Sequence, residues 1–135
     1  MFQLLREGLR AGCEWVDVEA CWSEERHVHS FTRDARQHYS RTSRLLGSLH
    51  VTQTLETDQE TEELFMRTSL GGEAHMLKVV TGAVCSDDCD RVHRAGQRVS
   101  DSLGVRAETR QGCTHLNSII YVSIPHQGVD IATFW

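Results

Sequence analysis

The sequence predicts an α/β fold with a parallel sheet. Short apolar runs rich in β-branched residues alternate with longer amphipathic segments, and glycines or capping residues separate them. The only proline is Pro125, and no Gly/Ser-rich linker, repeat or low-complexity tract divides the chain. Strands that alternate with helices of this length form βα units, so we expect about five parallel strands in one unit.

The helices and strands are placed by periodicity and by their start and stop signals. Gly12, Gly71-Gly72 and Gly104 are predicted helix stops, and Ser86-Asp87-Asp88 is the predicted N-cap and first turn of the last helix. The predicted helices cover residues 2–9, 23–43, 58–70 and 86–103, with a further short helix beginning within 114–118. The predicted strands cover residues 15–19, 45–51, 75–80, 105–108 and 119–124.

The composition excludes several classes of protein. The formal net charge is −5 and both signs are interspersed, whereas a nucleic-acid-binding protein normally carries a basic stripe. No apolar run approaches the roughly 20 residues that span a bilayer, and charges interrupt the apolar pattern of residues 1–12, which is not a secretory signal. We therefore expect a cytoplasmic protein with no membrane or nucleic-acid partner. Its five cysteines, at positions 13, 21, 85, 89 and 113, are then most simply free thiols.

Lys78 is the most informative residue, because it lies inside the apolar run Met76–Val80. Burial disfavours the charged ammonium and favours the neutral amine, which can attack a ketone to form an imine. The alternative is an edge-strand lysine whose stem packs while its ammonium reaches water. Spacing alone favours that alternative.

His50 ends the preceding predicted strand, and neighbouring parallel strands bring their ends close together. Imidazole titrates near neutral pH, so His50 could move protons beside an imine on Lys78. The alternative is a histidine that satisfies a strand-end hydrogen bond, and without Lys78 this alternative is preferred.

The two strands resemble those of type I 3-dehydroquinate dehydratase. The segment Leu45–His50 is similar to the family's strand ending in Ser-x-His, and His75–Val80 resembles the strand that carries its imine-forming lysine. The acidic segment Thr57–Leu70 resembles the helix between them, and Gly12–Glu19 is similar to the preceding strand, which commonly reads Asp-Tyr-Ile-Asp-x-Glu. Residues 112–117 and 124–126 look like a degraded fungal form. The resemblance extends over residues 4–126 and is nearest to the dehydroquinase region of the fungal pentafunctional arom protein and the related quinate repressor.

The resemblance implies a partial (βα)8 TIM-type barrel, with residues 1–135 forming one truncated domain from its C-terminal part. It implies that Lys78 forms an imine with the C3 ketone of 3-dehydroquinate and that His50 helps form the imine and removes a C2 proton. The C1 hydroxyl then leaves as water, giving 3-dehydroshikimate. The imine is the electron sink, so no metal or organic cofactor is needed.

The sequence also departs from the family pattern. Val51 follows His50 where the family usually has aspartate, and the carboxylate-binding arginine falls at His115 or Leu116. Arg110 lies nearby, so we take Arg110 and His115 as the candidate substrate-binding residues. A five-stranded partial barrel leaves open edges, so we expect self-association or a completing chain.

Three functions follow. The first is a dehydroquinase-type lyase, with little or no turnover in the isolated chain. The second is a non-catalytic regulatory protein of the quinate pathway, or a decayed fragment. The third is zinc binding by Cys85, Cys89 and His93, spaced i, i+4, i+8 on one helix face; small residues on a core-facing stripe explain the cysteines equally well.

Overall fold

The predicted alternation of helices and strands is present in the structure. The computed structural model describes residues 1–22, 25–103, 110–114 and 117–123, and for the last two strands it describes the backbone. The helices are α1 (Phe2–Arg10), α2 (Glu25–Tyr39), α3 (Asp58–Thr68) and α4 (Ser86–Ser102). The strands are β1 (Trp15–Glu19), β2 (Arg44–His50), β3 (Met76–Gly82), β4 (Arg110–Thr114) and β5 (Asn117–Ser123). Within the described ranges, no helix is long and apolar enough to cross a membrane.

The five strands form one sheet in the order β1-β2-β3-β5-β4. β1, β2 and β3 are parallel neighbours, and α2 and α3 connect them. Strands that follow one another in space with right-handed crossovers place their connecting helices on one face of the sheet. This arrangement confirms the predicted α/β fold, and it is the arrangement of a segment of a TIM-type barrel.

The expectation that all five strands are parallel is wrong for the last two. β5 pairs antiparallel with β3, and β4 pairs antiparallel with β5. The physical reason is the connection: only residues 115 and 116 separate β4 from β5, whereas a parallel pair needs a crossover of about a dozen residues or more. Thr114 ends β4 and Asn117 begins β5, so the short helix predicted from residue 114 is also wrong. The strand predicted over residues 105–108 lies outside the described residues.

Local signals account for most of the helix boundaries. The Thr57 hydroxyl caps α3 by accepting from the Glu60 N–H at 3.1 Å. The predicted glycine stop lies at Gly71 and Gly72, which have φ values of +71° and +89°. α2 ends at Tyr39, short of the predicted residue 43, because the chain must reach β2 by Arg44, where it pairs with Trp15.

The sheet has two chemically different faces. One face packs on α2, α3 and α4 through a core that includes Phe31, Phe65, Val92, Leu77 and Val79. Alternate strand residues point to opposite faces, so the opposite face carries the polar residues of β1, β2 and β3. The hydrophobic core therefore lies on the helix side of the sheet.

Gly47 shows how closely the helix layer approaches the sheet. A Cβ atom built on Gly47 would lie 1.8 Å from the carbonyl oxygen of Thr68, the last residue of α3. Only a residue without a side chain allows this approach. Gly47 thereby fixes the distance between α3 and β2, next to the residues that carry the polar face.

The N-terminus of α4 is fixed by Asp88, which corrects the predicted cap at Ser86. The N-cap is Cys85, and Oδ2 of Asp88 accepts from the backbone N–H groups of Val84 at 2.9 Å and Cys85 at 3.2 Å. Arg91 donates from Nη1 to Oδ1 of Asp88 at 3.0 Å and to the carbonyl of Leu55 at 2.6 Å. These bonds join α4 to the loop that follows β2, at the carboxyl ends of the strands.

We expect Phe65→Ala to lower the free energy of unfolding by about 3–5 kcal/mol, because it removes a fully buried ring from the centre of the core. The matched control is Met66→Ala, since the neighbouring Met66 is 46% exposed, and it should change stability by no more than about 0.5 kcal/mol. Urea unfolding followed by circular dichroism measures both. Equal losses in the two variants would contradict the described orientation of α3.

We expect the free energy of unfolding to fall at acidic pH because the carboxylate of Asp88 becomes protonated. The backbone N–H of Val84, followed by the Arg91 guanidinium, lowers the pKa of Asp88 to about 2 from its ordinary 3.8. The unfolded chain then takes up the proton first, so the stabilisation is complete above about pH 4 and is lost as the pH falls towards about 2. Thermal unfolding between these pH values should bring wild type and Asp88→Asn together at the acid end. Asp90→Asn, an exposed position on the same helix, should follow the wild-type curve.

Candidate functional site

The register of the parallel strands brings five polar residues to one face of the sheet. Glu19, Ser48 and Lys78 are Cα partners in one row across β1, β2 and β3. Asp17 and His50 lie two residues from this row on their own strands and therefore share its face. This face is opposite the helix-side core.

Lys78 lies on a strand with neighbours on both sides, since β3 pairs with β2 and β5. Its side chain is 14% exposed, and its Nζ donates to Oδ2 of Asp17 at 3.0 Å. The ammonium crosses β2 to reach an anion on β1, a span of roughly 10 Å between the two backbones. The edge-strand interpretation of Lys78 is therefore wrong.

His50 ends β2 and is held by Glu19 through two hydrogen bonds. Its backbone N–H donates to Oε1 of Glu19 at 3.1 Å, and its ring Nδ1 lies 2.6 Å from Oε2. A carboxylate only accepts, so the proton of the neutral ring is on Nδ1 and Nε2 is the nitrogen that can take up a proton. The strand-end hydrogen bond considered as an alternative is present, and together with the ring contact it fixes the orientation of the imidazole.

Ser48 joins the two pairs. Its hydroxyl donates to Oδ1 of Asp17 and lies 3.3 Å from Oε2 of Glu19. Hydrogen-bonding contacts therefore run from the amine of Lys78 through Asp17, Ser48 and Glu19 to the imidazole of His50. The strand spacings place the Cα atoms of Lys78 and His50 roughly 8 Å apart. The two residues selected from the sequence lie on one face and belong to one polar network.

The sequence analysis gave no role to Asp17 or Glu19. The signal that marks them is alternation, because Asp17 and Glu19 alternate along β1 with the buried valines Val16 and Val18. Acids at i and i+2 on a strand share a face, here the face that lacks the core. A second overlooked signal is that Lys78 is the only lysine, although the chain has 14 lysine and arginine residues in total.

Cys21 lies two residues after Glu19, just beyond the end of β1. Burial, followed by the charge of Glu19, raises the pKa of Cys21. Its thiol therefore stays protonated near neutral pH and is a poor nucleophile.

Of the two predicted substrate-binding residues, Arg110 is described and His115 lies outside the described residues. Arg110 begins β4 and is the Cα partner of Tyr121, which is the Cα partner of Lys78. Arg110 thus extends the row of Glu19, Ser48 and Lys78 across all five strands. The row had not been predicted, because it depends on the antiparallel pairing of β5.

The zinc alternative has no support in the described part of the chain, where no group of three histidine, cysteine or acidic residues could hold a metal ion. Cys85 is exposed at the start of α4, while Cys89 is buried one turn later, so the two thiols are in different environments. Cys13, Cys21, Cys85 and Cys89 are all free cysteines, as expected.

Comparison with known proteins gives one match. A model of the type I 3-dehydroquinase family matches residues 1–106, which include β1, β2, β3 and the whole polar network. No curated protein and no solved structure matches the chain significantly. The family model covers well over half of the sequence and includes the lysine and histidine that motif resemblance had selected. The chain belongs to the type I 3-dehydroquinase family.

Proposed function

We propose that the chain binds 3-dehydroquinate and forms an imine between Nζ of Lys78 and the C3 ketone, as in the dehydration to 3-dehydroshikimate. The observation that carries this proposal is an amine, 14% exposed on an interior strand, in one polar network with a carboxylate-held imidazole. Membership of the family supports a small-molecule substrate of this kind. The Lys78–Asp17 pair joins a side chain that is 14% exposed to one that is 45% exposed, and ion pairs contribute little to stability on average, so stability alone is a weak reason to keep this lysine.

The chain's use of basic residues supports the same proposal. All of the 14 lysine and arginine residues are arginines except the one at position 78. Arginine cannot lose its proton in a protein, whereas lysine can become a neutral amine and attack a carbonyl. The one position with lysine is thus the one where imine chemistry requires it.

The proposed reaction begins when the neutral amine of Lys78 adds to the C3 carbonyl and water leaves, giving the imine. Nε2 of His50 removes a proton from C2, and the electron pair moves towards the imine nitrogen. The resulting enamine expels the C1 hydroxyl as water, with His50 returning the proton. Hydrolysis of the imine then releases 3-dehydroshikimate and regenerates Lys78.

The substrate carboxylate needs a cation, because Asp17 and Glu19 already give the site two acids. We propose Arg110 as that cation, since it lies in the same register row as Lys78, two strands away. A guanidinium binds a carboxylate with two parallel hydrogen bonds. His115, which lies outside the described residues, stays a second candidate.

A second function is ligand binding without turnover, as in a quinate-pathway regulator. Two observations favour it: Val51 stands where the family usually has aspartate, and an antiparallel hairpin occupies the edge of β3 where a barrel continues with a parallel strand. The nearness to the fungal arom protein and quinate repressor, the single domain over residues 1–135, the self-association or completing chain, and the cytoplasmic location all stay predictions.

We expect borohydride reduction in the presence of 3-dehydroquinate to add one reduced ligand to the protein. The adduct should block tryptic cleavage after Lys78 and yield a peptide covering residues 68–91 in place of 68–78. The matched control is Lys78→Arg, which keeps the charge beside Asp17 and cannot form an imine. Intact-mass and peptide mass spectrometry measure both.

An adduct found only on the N-terminal amine, or equal labelling of wild type and Lys78→Arg, would rule out the imine at Lys78. Enone absorbance in the same mixtures separates the two functions. A Lys78 adduct with product identifies a lyase, and an adduct without product identifies the binding protein.

We expect Arg110→Ala to raise the 3-dehydroquinate concentration that gives half-maximal adduct by about 10- to 100-fold, the loss expected for a hydrogen bond to a charged group. Arg110→Lys should restore it only in part, because an ammonium cannot make the bidentate contact. Arg94→Ala, which removes a 55% exposed guanidinium from α4, is the control and should leave that concentration unchanged. An unchanged value in Arg110→Ala would transfer the carboxylate-binding role to another residue.

A further inference from the structure

We propose that Ser48 is a positioning residue that fixes the carboxylate of Asp17 on the amine of Lys78. The proposal deepens the proposed function, because the amine in question is the one proposed to form the imine. Ser48 needs no contact with substrate in this role. It acts through the hydrogen bond that it donates to Asp17.

Ser48 occupies the centre of the polar network. It is the Cα partner of Glu19 on one side and of Lys78 on the other, and it is 1% exposed. Asp17 is very different, since 45% of its side chain is exposed. Without a fixed partner, a carboxylate with that exposure would turn towards water.

The hydrogen bonds divide the two oxygens of Asp17 between two partners. Oδ1 accepts from the Ser48 hydroxyl, and Oδ2 accepts from Nζ of Lys78 at 3.0 Å. Fixing one oxygen fixes the plane of the carboxylate and therefore the position of the other. The rotational freedom of Asp17 is removed by Ser48, and the ammonium finds its partner already oriented.

The hydroxyl has one proton, so it can serve only one of the two neighbouring acids well. Glu19 lies farther from it, at 3.3 Å, and is held independently by the backbone and ring of His50. Among the described residues, the hydrogen bonds of Asp17 are those with Ser48 and Lys78. Loss of the hydroxyl should therefore affect the Lys78 pair and leave the His50 pair in place.

The size of serine also matters. The side chain of Lys78 crosses β2 diagonally to reach β1, because Lys78 is the Cα partner of Ser48 whereas Asp17 is the Cα partner of Leu46. A long side chain at position 48 would block this path. Serine is small enough to leave the path open while supplying a strong donor.

The experiment uses the fact that Lys78 is the only lysine. Protein labelled with ¹⁵Nζ-lysine gives one ammonium resonance, whose proton exchange with water can be measured in mildly acidic buffer without any substrate. Ser48→Ala should accelerate this exchange on the order of tenfold, the size expected when a hydrogen bond that orients a charged group is lost.

Two further variants separate positioning from packing. Ser48→Cys nearly keeps the side-chain volume but replaces the hydroxyl by a weak donor, so it should exchange as fast as Ser48→Ala. Ser48→Thr keeps the hydroxyl and should retain slow exchange. Glu63→Gln, which alters an exposed acid of α3 on the other side of the sheet, should leave the Lys78 resonance unchanged. Circular dichroism establishes that each variant is folded.

Slow exchange in Ser48→Cys, or fast exchange in Ser48→Thr, would overturn the proposal. Ser48→Cys provides this decision even where Ser48→Ala fails to fold. No substrate is present, so the result is distinct from the borohydride experiment. A protein that forms no adduct can still show the expected exchange, and one that forms the adduct can still fail to show it.

Discussion

An ammonium group on an interior strand must have an anion within reach, and this requirement organises the polar face of the sheet. Removing an ion from water costs several kcal/mol even after the protein relaxes, so Lys78 is acceptable at 14% exposure only with a partner. The partner, Asp17, is two strands away, which requires β1, β2 and β3 to lie side by side in one register. The strand between them carries the small residue Ser48 as the Cα partner of Lys78. The need to pair the Lys78 ammonium with an anion thus constrains the order and register of three strands.

The same register explains how the fold separates stability from chemistry. Sequential parallel strands place their connecting helices on one face, where Phe31, Phe65 and Leu77 are fully buried. The opposite face does not form part of this core, and it carries the acidic residues Asp17 and Glu19. Gly47 belongs to the helix side, and its close contact with the end of α3 sets β2 in place. Its neighbour Ser48 points to the opposite, polar face, so the position of β2 also sets the position of the Ser48 hydroxyl.

Sequence reasoning predicted what local pattern encodes. The bounds of β1, the glycine stop after α3 and the nearness of Lys78 and His50 follow from alternation, helix signals and motif resemblance. Contacts between residues distant in the chain could not be predicted from the sequence. Asp17 is 61 residues from Lys78, and no spacing rule links them. The direction of β5 was missed for a related reason. An apolar strand looks the same in either direction, and the two-residue connection that decides its direction became visible only with the true bounds of β4.

The unpredicted hairpin bears on function through electrostatics. Asp17 and Glu19 outnumber the single ammonium of Lys78, and a carboxylate ligand would add a third negative charge to this face. Binding such a ligand therefore requires another cation near the row. The antiparallel pairing of β5 with β3, followed by β4, is what brings Arg110 into the row of Lys78. In the proposed function, this departure from the regular barrel supplies the cation that a substrate carboxylate needs, in the same row as the lysine proposed to form the imine.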